Sequence, residues 1–233
     1  MKDVTVKAMI LAAGLGTRLR PVTDSIPKAL VVCNGKTLLE QSLRHLKVNG
    51  INEVIINVHH FAGKIIEYLK VNDNFGLNIT LSDESEQLLD TGGGIKKASW
   101  FFTGCQAIIV RNVDVISDLD LKDVIRFHVE QLPLATLVVR NRKTARNFLF
   151  DKDMTLSGWE NLETGASIIT RKGNEPLHLF AFSGIQVLDP KIMELITEEG
   201  KFSLTEMYLR LAKDHHIKGY VDNNSFWQDA GKP

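Results

Sequence analysis

Short apolar runs alternate with longer amphipathic segments through the first 140 residues of the chain. The runs are four to seven residues long and rich in β-branched side chains, which is typical of buried strands. They lie at Val6–Ala12, Val54–Val58, Asn78–Leu81, Ala107–Val110 and Ala135–Val139. Because continuously apolar strands are typical of parallel sheets that are covered on both faces, the pattern predicts an α/β fold.

Three amphipathic segments between these runs predict helices. Thr37–Asn49 carries leucines at helical spacing, with Thr37 as the expected N-cap and Gly50 as the expected stop. Phe61–Val71 and Leu121–Gln131 show the same periodicity. Each helix follows an apolar run, as expected of repeated strand–helix–strand units.

After about Arg140 the pattern changes to short strand-like pieces that are broken by turn residues. These pieces lie at Phe148–Phe150, Thr155–Gly158, Ala166–Thr170 and Leu177–Val187, and helices are expected at Pro190–Thr197 and Leu204–His215. We therefore expect one domain over residues 1–233, with a parallel half at 1–140 and an antiparallel elaboration of the same sheet at 141–233. The final Gly231-Lys232-Pro233 is expected to be a cut and not a natural terminus.

Composition and charge exclude several classes of protein. Apolar residues make up 44% and charged residues 24% of the chain, which is ordinary for a globular protein. Lys+Arg and Asp+Glu are both 28, and this lack of a basic excess disfavours general nucleic-acid binding. Two distant cysteines alone build neither a disulfide framework nor a four-ligand zinc site. No signal-like or membrane-length apolar run is present, so we expect a cytoplasmic protein without a membrane partner.

A glycine-rich loop after the first apolar run predicts a phosphate-binding site. The segment Leu11–Pro21 contains Gly14 and Gly16, which allow backbone N–H groups to approach a phosphate, followed by Arg18 as a charged donor. Lys28 adds a cation just beyond the loop. Leu19 excludes both the dinucleotide fingerprint and the P-loop. The alternative is an ordinary strand–turn–helix junction with solvated arginines.

This loop, followed by Pro27-Lys28-Ala29-Leu30, resembles the signature of the sugar-1-phosphate nucleotidylyltransferases. The resemblance implies a Rossmann-like three-layer sandwich whose antiparallel part binds the sugar. It also implies that Arg18 contacts the β- and γ-phosphates and that Lys28 holds the α-phosphate and the sugar phosphate. The residues implied to wrap the nucleoside triphosphate are Leu11, Ala12, Ala13, Gly14, Gly16 and Thr17.

A second motif resembles the part of the family that binds the nucleobase. Glu84 precedes Thr91-Gly92-Gly93-Gly94-Ile95, and this arrangement is most similar to the N-acetylmuramate-1-phosphate uridylyltransferase group. The resemblance implies base contacts from Glu84, Thr91, Gly92 and Gly93. An ionised carboxylate accepts hydrogen bonds only, so it would favour uracil, thymine or guanine over cytosine and adenine. The resemblance favours UTP; guanylyl transfer to a mannose or heptose phosphate is the alternative.

Two aspartates are implied to bind Mg²⁺. Asp114 follows a buried strand, and ligands of open parallel sheets bind at the carboxyl ends of strands. Asp229 lies in a C-terminal segment that resembles the family's second metal motif. Val113 stands where the family usually has glycine. The alternative is that each aspartate only shapes a turn.

The acceptor half resembles the family more loosely. Phe182-Ser183-Gly184-Ile185 is similar to a strand that lines the sugar, which implies acceptor contacts from Ser183 and Gly184. Asn161 and Glu163 lie where many relatives carry Glu-Lys-Pro, but this chain lacks the lysine. Lys28 or Arg146 would then have to hold the sugar phosphate.

The resemblance thus implies an Mg²⁺-dependent enzyme that makes an NDP-sugar and pyrophosphate from a nucleoside triphosphate and a sugar 1-phosphate. Such products are precursors of cell-wall or surface polysaccharides. One alternative is a metal-dependent glycosyltransferase that uses Asp118 and Asp120, although N-capping of a helix is the favoured interpretation of that pair. Another is a non-catalytic nucleotide-binding homologue. The sugar and the oligomeric state stay open.

Overall fold

A computed structural model describes residues 4–171 and 176–231 of the chain. The strands are β1 Val6–Leu11, β2 Val32–Cys33, β3 Lys36–Thr37, β4 Glu53–Val58, β5 Asn78–Asp83, β6 Ala107–Asn112, β7 Val115–Ser117, β8 Ala135–Arg140, β9 Arg146–Phe150, β10 Leu156–Asn161, β11 Ser167–Ile169, β12 His178–Leu188, β13 Ile217–Val221 and β14 Trp227–Asp229. The α-helices are α1 Leu38–Val48, α2 Ala62–Val71, α3 Asp90–Lys97, α4 Leu121–Gln131 and α5 Leu204–Leu211. Lys232 and Pro233, part of the predicted metal motif and of the predicted cut end, lie outside the described residues.

One mixed sheet contains ten of the described strands. Its order is β11-β10-β9-β12-β6-β1-β4-β5, with β8 beside β12 and β13 beside β8. Strands β6, β1, β4 and β5 are parallel, whereas β9, β10 and β11 pair antiparallel. Strand β12 joins the two parts by pairing with β6 and β9. The prediction of a mixed, mainly parallel sheet with an antiparallel elaboration is confirmed.

Helices cover both faces of this sheet, which gives the predicted three layers. Helices α1, α2 and α4 pack on one face through residues such as Leu43 and Ile65, and α3 and α5 pack on the other through Ile95 and Met207. Within β1, Ile10 contributes to the first core and Met9 to the second. The apolar runs are therefore continuous because each central strand buries both of its faces.

Most predicted elements lie within one or two residues of the observed ones. Helix α4 has the predicted bounds, and the Thr37 side chain caps α1 by accepting a hydrogen bond from the Glu40 N–H at 3.0 Å. The prediction of a helix at Leu204–His215 was too long, because α5 ends at Leu211. Beyond that point Arg171 donates to the carbonyls of Ala212 and His215, and the chain turns into β13.

The other predicted C-terminal helix, Pro190–Thr197, is a short 3₁₀ helix at Pro190–Leu195, and Asp189 caps it by accepting a hydrogen bond from the Lys191 N–H. None of the helices in the described part of the chain has the length and apolarity that crossing a membrane requires.

Candidate active site

A cleft opens at the carboxyl ends of the parallel strands. It has a volume of about 330 Å³, and its walls come from the loop after β1, the end of β6 and the start of α3. Several predicted site residues meet there, namely Leu11, Ala13, Gly14, Lys28, Thr91 and Asp114. We call it the inner cleft. Its position agrees with the rule that open α/β sheets bind ligands at the carboxyl ends of their strands.

The predicted phosphate loop is held in place by a buried asparagine. Asn57, at the end of β4, lines the inner cleft, and its Oδ1 accepts a hydrogen bond from the Ala12 N–H at 2.7 Å. Gly14 is exposed, and a Cβ added there would meet open space. Gly16 has φ +64°, and a Cβ there would lie 2.8 Å from Thr23 Cγ2, so the turn requires glycine at this position. Sequence reasoning missed Asn57 because this residue lies within an otherwise apolar run, Val54–Val58.

Glu84 lies beneath the inner cleft and is fully buried. Its Oε1 accepts a hydrogen bond from Asn57 Nδ2 at 2.8 Å, and its Oε2 accepts one from the Leu89 N–H at 3.1 Å. Both carboxylate oxygens therefore accept hydrogen bonds from groups of the protein itself. The predicted direct contact of Glu84 with the base stays a prediction, but the structure also gives this side chain a second task, which is to fix Asn57.

The three glycines in α3 make close contacts with the protein itself. A Cβ on Gly92 would collide with the Phe202 ring, one on Gly93 with the Gly200 carbonyl, and one on Gly94 would lie 2.8 Å from Glu84 Oε1. The N–H of Gly92 donates to the Phe202 carbonyl at 2.9 Å. The base contacts implied for Gly92 and Gly93 stay a prediction, and in the structure the three glycines allow the helix to pack against residues 200–202 and Glu84. Thr91 differs, because it lines the inner cleft.

Lys28, Asp114 and Asp229 converge on Gly231. Lys28 Nζ forms an ion pair with Asp114 Oδ2, and both side chains are 17% exposed. A Cβ on Gly231 would collide with Asp114 Oδ2 and lie 2.7 Å from Lys28 Nζ and 3.1 Å from Asp229 Oδ1. Two carboxylates and one ammonium group thus surround a single atomic position.

A pair of short strands brings these distant residues together. β7 and β14 are antiparallel, with Asp229 opposite Val115, and the Ala230 N–H donates to the Asp114 carbonyl at 2.9 Å. This pairing places the two predicted metal ligands side by side. Oxygen ligands from two carboxylates suit Mg²⁺, which completes its shell with phosphate oxygens and water. The donor set therefore fits the ion that the sequence predicts, although its binding stays a prediction.

A buried arginine lies behind the turn that carries Asp114. Arg111 is 1% exposed, and it donates to His45 Nδ1 at 2.6 Å and to the Val115 carbonyl. Because Nδ1 accepts, His45 Nε2 carries the proton and donates to the Leu119 carbonyl at 2.8 Å. Burial, together with the Arg111 charge, lowers the pKa of His45 to about 4, and burial lowers the pKa of Arg111 to about 10. His45 is therefore neutral at pH 7 and fixes the guanidinium.

A second cleft, of about 620 Å³, adjoins Asp229 on the antiparallel side of the sheet. Four cationic side chains line it, namely Arg18, Arg142, Lys143 and Arg146, and Glu163 and Asp229 supply carboxylates. We call it the outer cleft. Arg18, which is exposed, faces this cleft and not the inner one. Thr17 opens the 3₁₀ turn that carries Arg18.

The predicted acceptor residues occupy different parts of this region. Glu163 lines the outer cleft, whereas the Asn161 side chain shapes the neighbouring turn by accepting hydrogen bonds from the N–H groups of Glu163 and Thr164. Ser183 and Gly184 are buried in β12, where Gly184 has φ +75° and the register with β8 shifts. Ser183 contributes its carbonyl, which accepts from Trp227 Nε1 at 2.8 Å.

Asp118 and Asp120, the pair that a glycosyltransferase would need, are engaged elsewhere. Asp120 caps α4 by accepting from the Lys122 N–H at 2.9 Å, as the favoured interpretation predicts. Asp118 accepts from the Phe226 N–H at 2.8 Å. Neither residue lines the inner or the outer cleft.

The mixed sheet and its covering helices match the fold of solved nucleotidyltransferase structures. The sequence profile of that family, described as nucleotidyl transferase, matches residues 7–233 of this chain. The chain therefore belongs to the nucleotidyl transferase family, and the predicted resemblance is confirmed.

Individual relatives differ in the nucleotide that their names give. The N-acetylmuramate alpha-1-phosphate uridylyltransferase of Caulobacter vibrioides is 31% identical over 97% of this chain and 92% of its own length. The catalytic subunit beta of mannose-1-phosphate guanylyltransferase from Drosophila pseudoobscura is 29% identical over 97% of this chain and 59% of its own length. Among solved structures, HddC from Yersinia pseudotuberculosis, complexed with GMP-PN, superposes with a TM-score of 0.76 at 25% identity, covering 99% of this chain and 95% of that one.

Proposed function

We propose that the protein is an Mg²⁺-dependent uridylyltransferase that converts UTP and a sugar 1-phosphate into a UDP-sugar and pyrophosphate. The observation that carries the proposal is the convergence of Lys28, Asp114 and Asp229 on Gly231, between the inner and outer clefts. In this proposal the nucleotide occupies the inner cleft and the sugar phosphate the outer one. The reacting phosphates then meet where the two clefts adjoin.

The chemistry requires alignment and charge neutralisation, with no general base. An oxygen of the sugar phosphate, already ionised at pH 7, attacks the α-phosphorus of UTP; the new P–O bond forms as the bond to the β-phosphate breaks. Pyrophosphate leaves with the electron pair. Lys28 would neutralise charge on the α-phosphate, and Arg18, from the outer cleft, would neutralise the departing pyrophosphate where the two clefts adjoin.

Asp114 and Asp229 would hold Mg²⁺ in this proposal. When bound, the ion would supply positive charge to the phosphate oxygens. Lys28 pairs with Asp114 in the structure, so the same ammonium group lies within reach of phosphates that gather at this carboxylate.

UTP is the favoured nucleotide for two reasons. The Caulobacter relative, which is named a uridylyltransferase, covers almost the whole chain. The second reason is the sequence resemblance, which implies that Glu84, the partner of Asn57 at the base of the inner cleft, selects a base that presents an N–H group. GTP is the second candidate, since guanine also presents N–H groups and the HddC structure carries GMP-PN.

A matrix of substrates tests the proposal. ATP, CTP, GTP, UTP and dTTP would each be mixed with glucose 1-phosphate, mannose 1-phosphate and N-acetylmuramate 1-phosphate, with Mg²⁺ present, and pyrophosphate release would be followed. We expect turnover in which UTP exceeds GTP and both exceed CTP and ATP. A preference for CTP or ATP would contradict the base assignment, and release of pyrophosphate without any acceptor would contradict the transfer.

A further inference from the structure

Arg142 is held rigidly at the wall of the outer cleft. Its guanidinium carbon lies 4.5 Å from the centre of the Trp227 ring, and its Nη2 donates to the Phe182 carbonyl at 3.1 Å. Trp227 is itself fixed, because its Nε1 donates to the Ser183 carbonyl at 2.8 Å. The orientation of the guanidinium is therefore set by the protein before any ligand arrives.

The charge of Arg142 has no carboxylate partner at salt-bridge distance within residues 4–171 and 176–231. Its Nε is buried and makes no hydrogen bond in the described part of the chain. Burial lowers the pKa of Arg142, and the nearby Asp229 opposes that shift. Arg140 provides a contrast, since it also lies over Trp227 but forms an ion pair with Asp222 at 2.8 Å. A partly buried cation without such a partner is costly unless an anion binds beside it.

The other cations near the outer cleft lack one of these two properties. Arg18, Lys143 and Arg146 are exposed, and none of their side chains makes a hydrogen bond or ion pair with another described residue. Lys28 is oriented, but Asp114 already engages it. Only Arg142, of the five, is both fixed by the described protein and left without a carboxylate partner.

We propose that Arg142 binds the phosphate group of the acceptor sugar 1-phosphate, beside Asp229. This inference rests on the proposed function and assigns the cation that the acceptor half of the sequence lacks. Nη2 donates to the Phe182 carbonyl and Nε is buried, so the Nη1 end of the guanidinium faces the ligand. A fixed arginine is suited to this task because its planar donor groups match phosphate oxygens and little side-chain freedom is lost on binding. Sequence analysis considered Lys28 and Arg146 for this role and missed Arg142.

Steady-state kinetics of three variants test the inference. Arg142→Gln should lower kcat/KM for the sugar 1-phosphate by about 30-fold, the range expected for a hydrogen bond to a charged group, while KM for UTP changes by less than about 3-fold. Arg142→Lys keeps the charge but loses the planar donors, so we expect an intermediate loss. Lys143→Gln removes a neighbouring, unoriented cation from the same cleft and should have a much smaller effect than Arg142→Gln. Thermal unfolding of each variant reports whether the fold is intact.

The possible results separate this inference from the proposed function. If the wild-type protein releases no pyrophosphate with any substrate pair, the proposed function is wrong and the inference falls with it. If the wild type turns over and Arg142→Gln retains the acceptor kcat/KM, or raises KM for UTP equally, the inference alone is wrong. Equal losses in Lys143→Gln and Arg142→Gln would also overturn it. They would indicate that the total positive charge of the cleft, and not a specific contact from Arg142, supports acceptor binding. If Arg142→Gln unfolds, a folded Arg142→Lys with wild-type acceptor kinetics overturns the inference.

Discussion

At the scale of single residues, the proposed reaction depends most on Asp114. Asp114→Asn preserves the shape of the side chain but removes the charge that faces Lys28 and, in the proposed function, Mg²⁺. We expect kcat/KM to fall by at least ~100-fold, which corresponds to about 2.7 kcal/mol of transition-state stabilisation. Pyrophosphate release at saturating Mg²⁺ measures the effect. Turnover close to that of the wild type would contradict the role of Asp114.

Glu84 gives a second prediction at this scale. A glutamine at this position can keep the bond from Asn57 or the bond from Leu89 but offers only one acceptor oxygen for the two. In the base contact that the sequence resemblance implies, glutamine also offers a donor, so we expect Glu84→Gln to reduce the preference of UTP over CTP by roughly 5- to 150-fold, the value of a buried acceptor matched to its donor.

Relative kcat/KM values for the five nucleotides, in wild type and Glu84→Gln, provide the measurement. An unchanged preference together with a lower melting temperature would assign Glu84 to the support of Asn57 and remove it from base selection.

At the scale of secondary-structure elements, α3 can be tested through its glycines. Gly93→Ala would drive a methyl group into the Gly200 carbonyl, a backbone atom that cannot rotate away. Overpacking of this kind costs about 1–3 kcal/mol, so we expect a lower free energy of unfolding in urea. Gly63→Ala in α2 is the matched control, because nothing lies within 4 Å of its added Cβ. It should stabilise the protein by about 0.4–1 kcal/mol. Equal effects of the two substitutions would contradict the packing account of α3.

The elements also show why the sequence predicts some features and misses others. Helix α1 could be predicted because its leucine spacing and its Thr37 cap lie within one short stretch of sequence. Helix α4 could be predicted in the same way, from its apolar spacing and its Asp120 cap. Strands β7 and β14 have three residues each and exist because they pair across more than a hundred residues of chain, which no local pattern records.

The residues of the candidate site likewise divide into those that a contiguous motif predicts and those that depend on contacts distant in sequence. Asp114 and the loop at Gly14 and Gly16 could be found through motifs that are contiguous in sequence. Asn57 and Arg142 could not, because the first reads as part of an apolar strand and the second acquires its surroundings from Trp227 and Phe182. Similarly, the close contacts of Gly92 and Gly93 come from residues 200–202, which are distant in sequence.

At the scale of the whole molecule, two buried histidines predict a dependence of stability on pH. Burial is the main cause that lowers the pKa of both His45 and His128 to about 4, and His128 Nδ1 bonds the Thr136 hydroxyl at 2.9 Å. In the unfolded chain each histidine titrates near its ordinary pKa of about 6.5. Between these two values the unfolded state binds more protons, so the free energy of unfolding decreases as the pH falls from about 6.5 towards 4.

Each of these histidines should remove about 2 kcal/mol of stability between pH 7.5 and pH 5, with a limiting slope of about 1.4 kcal/mol per pH unit. Urea unfolding at pH 7.5 and pH 5 measures the difference. His128→Leu removes one of the two titrating groups, so we expect it to reduce the pH dependence by about half. An unchanged pH dependence in His128→Leu would contradict the lowered pKa of this group.

The proposed reaction uses both clefts of the molecule, and ³¹P NMR of a single mixture follows its substrates and products together. The protein would be incubated with UTP, Mg²⁺ and the sugar 1-phosphate that gives the fastest turnover. We expect a UDP-sugar and pyrophosphate to appear in equal amounts and neither to form when the sugar phosphate is omitted. We also expect the same protein to convert the UDP-sugar and pyrophosphate back to UTP and the sugar 1-phosphate. Hydrolysis of UTP to UDP and inorganic phosphate, or no product from any acceptor, would contradict it.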